Sequence, residues 1–469
     1  MKGGVEWGEL RSGILGRVTP DGAERRAVEA FCKRTVRGLT ARLRDADLEA
    51  AVEVHGSVAR DTWLSGERDI DVFIILDPGY GLAVIPRVLN AIKAYVGEGW
   101  VEAYAEHPYI QATIDGFRVE FVPCFRVDPG EGLISATDRT PLHTRFVKGH
   151  LAHDGGAEVR LLKRFMRGIG VYGAEVKVGG FSGYLCELLI IRFGSLDAVL
   201  DAAAGWRRGE VIDVIGDADP KALRKRFRDP LILVDPVDLG RNAASAVSDT
   251  AMWTFTAAAR SFMREPKEAF FYPSETVVNI PALLEDLNIR ESSLLFVVVE
   301  DGEVDVPDVL WGQLYRAEKA IMNLLRKREF HVIRSAAWSD EESEHIFLFE
   351  LESAAIPGVV RSMGPPVEMA ESSRRFLRAH LRAENTVSGP WIEGRRWWVE
   401  ARRQYTDARA LLTSALEDGG RGVGIPRRLS VKIARGHEVL MDGEIADHLR
   451  GDFTRFLDGF LRGRPGWIE

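Results

Sequence analysis

Three acidic side chains in the first third of the chain have the types and spacing of a metal site. Asp69 and Asp71 stand at the head of the apolar segment DIDVFIIL, and Glu120 lies within RVEFVP. Because successive residues of a strand point to opposite faces, both aspartates are expected on one face, with Ile70 turned into the core. Adjacent carboxylates repel each other unless a cation lies between them, so the pair predicts a Mg²⁺ site. Three carboxylates on neighbouring strands can hold two metal ions about 3.5–4 Å apart.

A phosphate-binding turn is predicted just before these carboxylates. The strand VEVHG leads into Gly56-Ser57, and VARDTWL is expected to begin a helix. Gly56 has no side chain and lets the backbone approach a phosphate, while the helix N-terminus and the Ser57 hydroxyl supply hydrogen-bond donors. Arg60, one turn further on, is expected to pair with the same anion or with the phosphates of a longer substrate.

Each of these features alone is more often structural. A Gly-Ser pair before a helix is usually a helix cap, an Asp-x-Asp pair is usually a solvated strand end, and a lone glutamate in a strand usually faces water. Their order is more specific: a strand, Gly-Ser, a helix, an Asp-x-Asp strand, and an acidic strand after a hairpin. This order favours one metal-dependent phosphate-transfer site over three unrelated surface features.

The composition excludes several classes of protein. A length of 469 residues suggests about three domains, and 46% hydrophobic with 28% charged residues is typical of a folded chain. No apolar run approaches the ~20 residues that span a membrane, and the start MKGGVEWGELRSG lacks the apolar core of a secretory signal. Three cysteines without metal-ligand spacing predict a reducing, cytoplasmic location. The net charge of −8 argues against a basic protein that simply coats nucleic acid.

The order of predicted elements gives an α+β, multidomain fold. Helical periodicity covers 26–46 and 80–99, and Asp115-Gly116 predicts the turn of a hairpin. From about residue 292 the order is β-α-β-β-α-β, ending on the strand RWWVEARRQY, which is the order of a ferredoxin-like module. One further strand is expected near LSVKIA. The predicted parts are 1–150, a catalytic head; 151–262, a helical central domain with the nucleotide pocket; 292–405, a ferredoxin-like tail; and 263–291 with 406–469, a body.

The motif order is that of the nucleotidyltransferase superfamily that includes DNA polymerase β, and the chain closely resembles the archaeal class I CCA-adding enzymes. The resemblance extends over nearly the whole chain and is densest in three segments outside the metal site. These segments are TDRTPLHTRFV (137–147), VRLLKRFMRGIGVYGAEVKVGGFSGYLCELLI (159–190) and DPVDLGRNAASAVS (235–248). They are more specific to this family than the superfamily motif is.

The resemblance implies a role for each matched residue. Asp69, Asp71 and Glu120 would be the catalytic metal ligands, with Gly56, Ser57 and Arg60 at the incoming nucleotide. The residues that would line the nucleotide pocket are Thr140, His143, Lys163, Tyr172 and Ser182, and Arg241 would contact the base edge. Glu120 departs from the family, which usually has aspartate there, so its longer side chain makes it the least secure of the three ligands.

Other interpretations of the pocket residues stay open when the resemblance is set aside. Lys163 lies in the basic segment RLLKRFMR, where a solvated helix face is the commoner outcome. Tyr172 between glycines is equally compatible with a structural corner, and a lone histidine such as His143 is more often a structural group than a ligand. Arg241 in a Gly-Arg-Asn sequence is also compatible with a helix cap.

The implied reaction is template-independent addition of C, C and A to the 3′ end of tRNA from CTP and ATP, with two Mg²⁺ ions. The partner would be the tRNA acceptor arm, and the resemblance suggests a homodimer. RNA affinity depends on local basic clusters, since phosphates dominate it. These clusters are at 221–228, 326–329, 374–382, 395–404 and 426–435. The alternatives are another member of the superfamily, such as a poly(A) polymerase, and a non-catalytic RNA-binding protein on the same scaffold.

Overall fold

The chain folds into two compact units in a computed structural model. The first unit comprises residues 1–275 with 465–469, and the second comprises residues 276–464. Both units combine helices and sheets, so the predicted α+β, multidomain class is confirmed. The structure describes residues 3–104, 107–127, 132–216, 219–274, 277–300, 302–303 and 305–468.

The first unit combines helices and strands. Its helices are α1 (Gly3–Val18), α2 (Gly22–Asp45), α3 (Gly56–Ala59), α4 (Ile85–Val96), α5 (Arg139–His150), α6 (Gly155–Gly168), α7 (Gly183–Phe193), α8 (Leu196–Ala204), α9 (Pro220–Arg226) and α10 (Asp249–Arg264). Its strands are β1 (Ala50–Val54), β2 (Asp69–Leu76), β3 (Trp100–Tyr104), β4 (Pro108–Ile114), β5 (Phe117–Phe125), β6 (Glu210–Ile212), β7 (Leu231–Asp235) and β8 (Asp238–Asn242).

A five-stranded mixed sheet, in the order β1-β2-β5-β4-β3, forms the frame of this unit. The predicted hairpin joins β4 to β5, and both turn residues, Asp115 and Gly116, have positive φ (52° and 79°), as a two-residue type I′ turn requires. One face packs against α2 and α4 through β2 residues such as Ile70 and Val72. The opposite face, which includes Phe73, therefore presents the odd-numbered residues of β2, among them both aspartates.

The region after this sheet is largely a helical core. Helices α6, α7, α8 and α10 bury a single apolar cluster that also takes in α1. Phe165 on α6 lies at its centre, 5.4 Å from both Phe262 and Phe271 between ring centroids. α10 begins at Asp249, where the Ser248 hydroxyl caps it by accepting a hydrogen bond from the Ala251 amide.

The second unit contains two separate sheets. Its helices are α11 (Ile280–Ile289), α12 (Pro307–Lys327), α13 (Ala370–His380), α14 (Ala408–Leu416), α15 (Arg427–Arg435) and α16 (Gly451–Arg462). Its strands are β9 (Ser293–Glu300), β10 (Val332–Ser339), β11 (Glu344–Leu351), β12 (Val359–Pro366), β13 (Thr386–Glu393), β14 (Arg396–Arg402) and β15 (Glu438–Met441). One sheet has the order β10-β11-β9-β15 and the other has the order β12-β14-β13.

Two of the strand predictions are wrong. In the sheet β10-β11-β9-β15 the fourth strand is β15. The segment RWWVEARRQY, predicted as that fourth strand, instead forms β14, which pairs with β12 on one side and with β13 on the other. β14 has no free edge, so it cannot also complete the other sheet. The predicted strand LSVKIA lies inside α15, where Leu429 and Ile433 are buried one turn apart in helical spacing. The four-part domain division stays a prediction.

Among the residues that the structure describes, no helix combines the length and the apolar character that crossing a bilayer requires.

The close packing of α6 leaves no space for a side chain at Gly168. A Cβ atom there would lie 2.1 Å from the Phe270 carbonyl oxygen, and backbone cannot yield as a flexible side chain does. We expect Gly168→Ala to lower the free energy of unfolding by about 2–3 kcal/mol, measured by urea denaturation. The control is Gly16→Ala on the exposed side of α1, where no atom lies within 4 Å of the added methyl group. That variant should be neutral or more stable by up to ~1 kcal/mol; equal losses in both would refute the packing argument.

Candidate active site

Strand pairing brings the three predicted metal ligands to one cavity. β2 and β5 are parallel, with Asp69 opposite Arg118 and Asp71 opposite Glu120. All three carboxylates line a cavity of about 600 Å³, which Gln111 of β4 also borders. The sheet therefore places side chains that are 49 residues apart in sequence on adjacent strands at the same level.

The turn at Gly56 depends on its close approach to Asp71. Gly56 has a φ of 65°, and a Cβ atom there would lie 1.7 Å from Oδ2 of Asp71. The His55 amide also donates to the Asp71 carbonyl oxygen at 2.9 Å. Only glycine fits this position, because a side chain would meet the carboxylate and the left-handed conformation would be strained. The Gly-Ser turn and the carboxylate are thus held against each other.

The helix predicted after this turn is much shorter than expected. α3 has a single turn, Gly56–Ala59, and Arg60 is its C-cap. Asp61 then takes a φ of 53°, a left-handed conformation that cannot continue a helix. Arg60 is consequently positioned by what its side chain contacts rather than by a regular helix.

The carboxylates of this cavity differ in their surroundings, which affect the pKa of Asp71 and supply partners to Asp69 and Glu120. Burial, and then the negative charge of Glu120, raise the pKa of Asp71 to about 6. Asp69 lies 3.6 Å from Nε of Arg118, and Glu120 accepts a hydrogen bond of 2.8 Å from Gln111. In the part of the chain that the structure describes, no group of three metal-ligating side chains is already assembled around one point.

The donor set nevertheless fits a hard divalent cation in its chemistry. Three carboxylates face one cavity, and carboxylate oxygens are the ligands that Mg²⁺ prefers. Arg118 and Gln111 are the groups that Asp69 and Glu120 would exchange for a metal ion.

A buried carboxylate joins Arg60 to the helical core. Glu187 of α7 is fully buried and accepts a hydrogen bond of 2.9 Å from Nε of Arg60 and another from the Thr62 hydroxyl. Lys163 of α6 is also buried and donates to the Thr62 carbonyl oxygen at 2.8 Å. Lys163 therefore does not lie on the solvated helix face that its basic segment favours.

Lys163 meets two other predicted pocket residues at the start of α7. A Cβ atom on Gly183 would lie 3.1 Å from the Tyr172 hydroxyl and 3.5 Å from Nζ of Lys163. Ser182 is the N-cap of this helix and accepts from the Leu185 amide at 3.1 Å. Burial lowers the pKa of Lys163 and raises that of Tyr172, so both polar ends lie in a poorly hydrated site.

A second buried carboxylate, Asp235 at the end of β7, holds His143 and Arg241 together. It accepts from Nε2 of His143 at 2.9 Å, from Nη1 of Arg241 at 2.8 Å and from the Tyr184 hydroxyl at 3.1 Å. The His143 and Tyr184 rings stack with centroids 3.9 Å apart. Thr140 lies one turn before His143 in α5. Arg241 is in strand β8, so it is not a helix cap.

The charge of Asp235 is stabilised by these partners. Burial alone would raise its pKa, but the hydrogen bond and charge of His143, the Val237 amide and Arg241 hold the pKa below its ordinary value. Burial also lowers the pKa of His143 despite its bond to Asp235, which favours a neutral ring that donates from Nε2.

Sequence reasoning missed both buried carboxylates. Glu187 is the lone acidic residue in the apolar run LCELLIIRF, and such an isolated carboxylate on a buried helix usually has a partner. Asp235 opens the segment DPVDLGRN, from which only Arg241 was singled out. The signal was present in each case, but the partners lie 92 and 127 residues away in sequence.

The fold and the carboxylate-lined cavity define the first unit as a nucleotidyltransferase. A nucleotidyltransferase domain family matches residues 36–143, and the second domain of tRNA nucleotidyltransferases matches residues 157–272. The C-terminal domain of CCA-adding enzymes matches residues 291–442, in the second unit.

Curated relatives align with almost the whole chain. A CCA-adding enzyme of Methanothermobacter thermautotrophicus is 35% identical over 96% of this chain and 97% of its own length. The enzyme of Methanosarcina acetivorans is 38% identical and aligns over 96% of this chain and 97% of its own length. The enzyme of Halobacterium salinarum is 38% identical and aligns over 80% of this chain and 81% of its own length. A solved cytoplasmic RNA terminal U-transferase covers 58% of this chain and 99% of its own, with 13% identity and a TM-score of 0.46. The chain belongs to the CCA-adding enzyme family.

The raised pKa of Asp71 predicts how metal-free stability varies with pH. Because the pKa is about 6 in the folded state and 3.8 in the unfolded reference, the protonated carboxyl stabilises the fold fully below pH ~4. This contribution is lost as the pH rises through 6, and at pH 8 we expect Asp71→Asn in EDTA to be about 1–2 kcal/mol more stable than the unchanged protein. Chemical denaturation at pH 4 and pH 8 measures the difference.

Mg²⁺ provides the complementary measurement. We expect it to raise the melting temperature of the unchanged protein at pH 8, much less at pH 5, and not at all in Asp71→Asn. A pH-independent increase shared by both proteins would contradict the assignment of Asp71 as a metal ligand.

Asp235→Asn tests the second buried carboxylate. An amide cannot accept from His143, Arg241 and Tyr184 together, and its NH₂ group would face donors, so we expect a loss of about 2–4 kcal/mol in unfolding free energy. The neighbouring Asp238→Asn is the control, since Asp238 pairs with Arg139 at 3.0 Å in a more exposed position. It should cost no more than ~1 kcal/mol. Equal losses of unfolding free energy in the two variants, measured by urea denaturation, would contradict the structural role assigned to Asp235.

Proposed function

We propose that the protein adds C, C and A to the 3′ end of tRNA, using CTP and ATP and releasing pyrophosphate. The observation that carries this proposal is the alignment of CCA-adding enzymes with 96% of the chain. The cavity supports it independently, because it combines three carboxylates with a glycine turn that has no space for a side chain.

Some residues at the cavity would bind the metal ions and others would bind the nucleotide. Two Mg²⁺ ions held by Asp69, Asp71 and Glu120 would lower the pKa of the attacking 3′-hydroxyl and offset the charge of the triphosphate. Gly56 lets the backbone approach the triphosphate, and Ser57 supplies a hydroxyl donor beside it.

Cationic and hydroxyl groups from three elements would bind the rest of the nucleotide. Arg60 is held by Glu187, and Lys163 and Tyr172 converge at the start of α7 close to Ser182. These groups are already ordered before substrate binds, which lowers the entropic cost of orienting a triphosphate.

Base choice is assigned to the cluster around Asp235. Arg241 is about one-third exposed, and its guanidinium keeps donors beyond the one that Asp235 accepts. Thr140 and His143 on α5 would line the sugar and triphosphate next to it. A pocket whose polar groups are satisfied only by the correct base edge discriminates strongly against the wrong base.

The second unit offers basic surfaces that suit an RNA helix. On α13, Arg375 and Arg378 are exposed, and neither forms an ion pair within the described residues. In the neighbouring sheet the Arg361 guanidinium lies 4.2 Å from the Trp398 ring centroid. A tRNA acceptor arm is A-form and would be recognised mainly by shape and backbone. The proposal includes the four-part domain division, a homodimer and a cytoplasmic location.

The reaction is tested with tRNA that lacks its CCA end, CTP, ATP and Mg²⁺, followed by sequencing of the product. We expect three added nucleotides that end in A, whereas a long A tail would favour a poly(A) polymerase. Asp69→Ala with Asp71→Ala should lower turnover by at least about a thousandfold while leaving tRNA binding intact.

A matched control separates the metal site from general loss of negative charge. Asp45→Ala with Glu49→Ala removes two exposed carboxylates from the same unit and should retain turnover. If the unchanged protein incorporates no nucleotide into this tRNA, the proposed function is refuted. Binding of tRNA without incorporation would instead favour the non-catalytic alternative.

A further inference from the structure

A second cavity lies on the face of the five-stranded sheet that carries the metal ligands, nearer the other end of the strands. It has a volume of about 360 Å³ and is bordered by β1, by the ends of β2 and β5 and by α5. Ile75 and Phe125 line it, whereas Asp71 and Glu120 stand four and five residues earlier on the same strands. The two cavities share no lining residue, so this one is not part of the carboxylate site.

Three cationic side chains border this second cavity. Arg126 follows β5, while Arg145 and Lys148 lie one turn apart on α5, and all three are exposed. Within the described residues none of them forms an ion pair. Cations placed together without carboxylate partners repel one another, so their arrangement favours an anion between them.

Two buried polar side chains on the inner wall lack hydrogen-bond partners. His55 and Thr144 are 4% and 5% exposed, and both line the cavity. Among the described residues, neither ring nitrogen of His55 nor Oγ1 of Thr144 forms a hydrogen bond. Nε2 of His55 lies 3.3 Å from a Glu53 oxygen, outside hydrogen-bond geometry. Unpaired buried polar groups destabilise the fold, so a group that enters the cavity and hydrogen-bonds to them is bound favourably.

The two carboxylates of this cavity do not cancel its positive character. Asp138 accepts from the backbone amides of Phe125, Ile134 and Ser135 at 2.7, 3.0 and 2.7 Å, so its charge is already satisfied. Glu53 has a side chain that is 54% exposed and is largely solvated. The three cations therefore dominate the entrance.

The inner wall offers donors to match. The His55 ring has at least one N–H group in either protonation state. Thr144 adds a hydroxyl donor. Guanidinium and ammonium groups at the entrance with N–H and O–H donors inside match a tetrahedral oxyanion, and they would repel a metal ion.

We propose that this cavity binds a phosphate group, with Arg126, Arg145 and Lys148 neutralising its charge and His55 and Thr144 donating to its inner oxygens. The phosphate comes either from the backbone of an RNA strand or from a free anion such as inorganic phosphate. This inference does not rest on the proposed reaction, since it uses no residue assigned to metal or nucleotide binding.

Histidine resonances report on the two sites separately. The chain has ten histidines, of which His55 lines this cavity and His143 lies in the predicted nucleotide pocket. In protein labelled with ¹⁵N-histidine, with EDTA present, we expect inorganic phosphate to shift the His55 resonances saturably. His55→Gln assigns those resonances by their absence. A shift at His143 would report binding at the nucleotide pocket instead.

Charge removal tests the role of the cations. Arg145→Ala with Lys148→Ala should raise the phosphate concentration at half-saturation by about tenfold or more, because two charge-assisted contacts are lost. Thr144→Val removes only the hydroxyl and should raise it by about threefold to tenfold. The matched control, Arg37→Ala with Arg42→Ala, removes two exposed cations from α2 on the opposite face of the sheet and should change nothing.

A short single-stranded RNA without terminal phosphates distinguishes the two sources. If the shift of the His55 resonances reaches half-saturation at a lower concentration of RNA than of phosphate, the cavity is assigned to the RNA backbone. A response to phosphate alone would assign it to a free anion. The proposal is overturned if His55 responds to neither probe, or if it responds equally in the unchanged protein and in Arg145→Ala with Lys148→Ala.

Discussion

The parallel pairing of β2 with β5 is the constraint on which the candidate active site depends. It sets Asp71 opposite Glu120, and the repulsion between these two carboxylates is what makes a cation favourable in the cavity. The pairing of β1 with β2 brings the Gly56 backbone against the Asp71 carboxylate, where no other residue fits. The proposed metal ligands and phosphate turn are therefore positioned by the register of one sheet, and a slip of β2 by one residue would turn both aspartates into the core.

Buried carboxylates assemble the remaining residues around this register. Glu187 connects Arg60 to the helical core, and Asp235 connects α5, α7 and β8 through His143, Tyr184 and Arg241. Each carboxylate is fully buried. Both oxygens of Asp235 accept hydrogen bonds from separate elements, whereas Glu187 accepts from Arg60 and Thr62 through Oε1 alone, and its Oε2 has no partner among the described residues. Arg60 and Arg241, two of the cations that the proposed function assigns to the nucleotide, are thus held by buried carboxylates.

Much of the fold could be predicted from local pattern, and the failures have a common cause. The apolar run that begins after Asp71 located β2, and the Asp115-Gly116 turn located the hairpin, because both signals depend on neighbours in sequence. LSVKIA was wrongly predicted as a strand since a short amphipathic run fits both periods. The fourth strand of the ferredoxin-like sheet was misassigned because a strand pattern does not record its pairing partners: β14 pairs with β12 and β13, and β15 pairs with β9.

The sequence by itself determined the chemistry: three carboxylates, a glycine-serine turn and the family segments that carry Lys163, Tyr172 and Arg241. Those features follow from residue type and short spacing, which a linear pattern records. Only the tertiary structure decided which groups hold Arg60 and His143, because their partners Glu187 and Asp235 lie 127 and 92 residues away in sequence and are selected by packing. The cavity of His55 and Thr144 has the same origin, since a missing hydrogen-bond partner is a property of the folded surroundings and not of the residue.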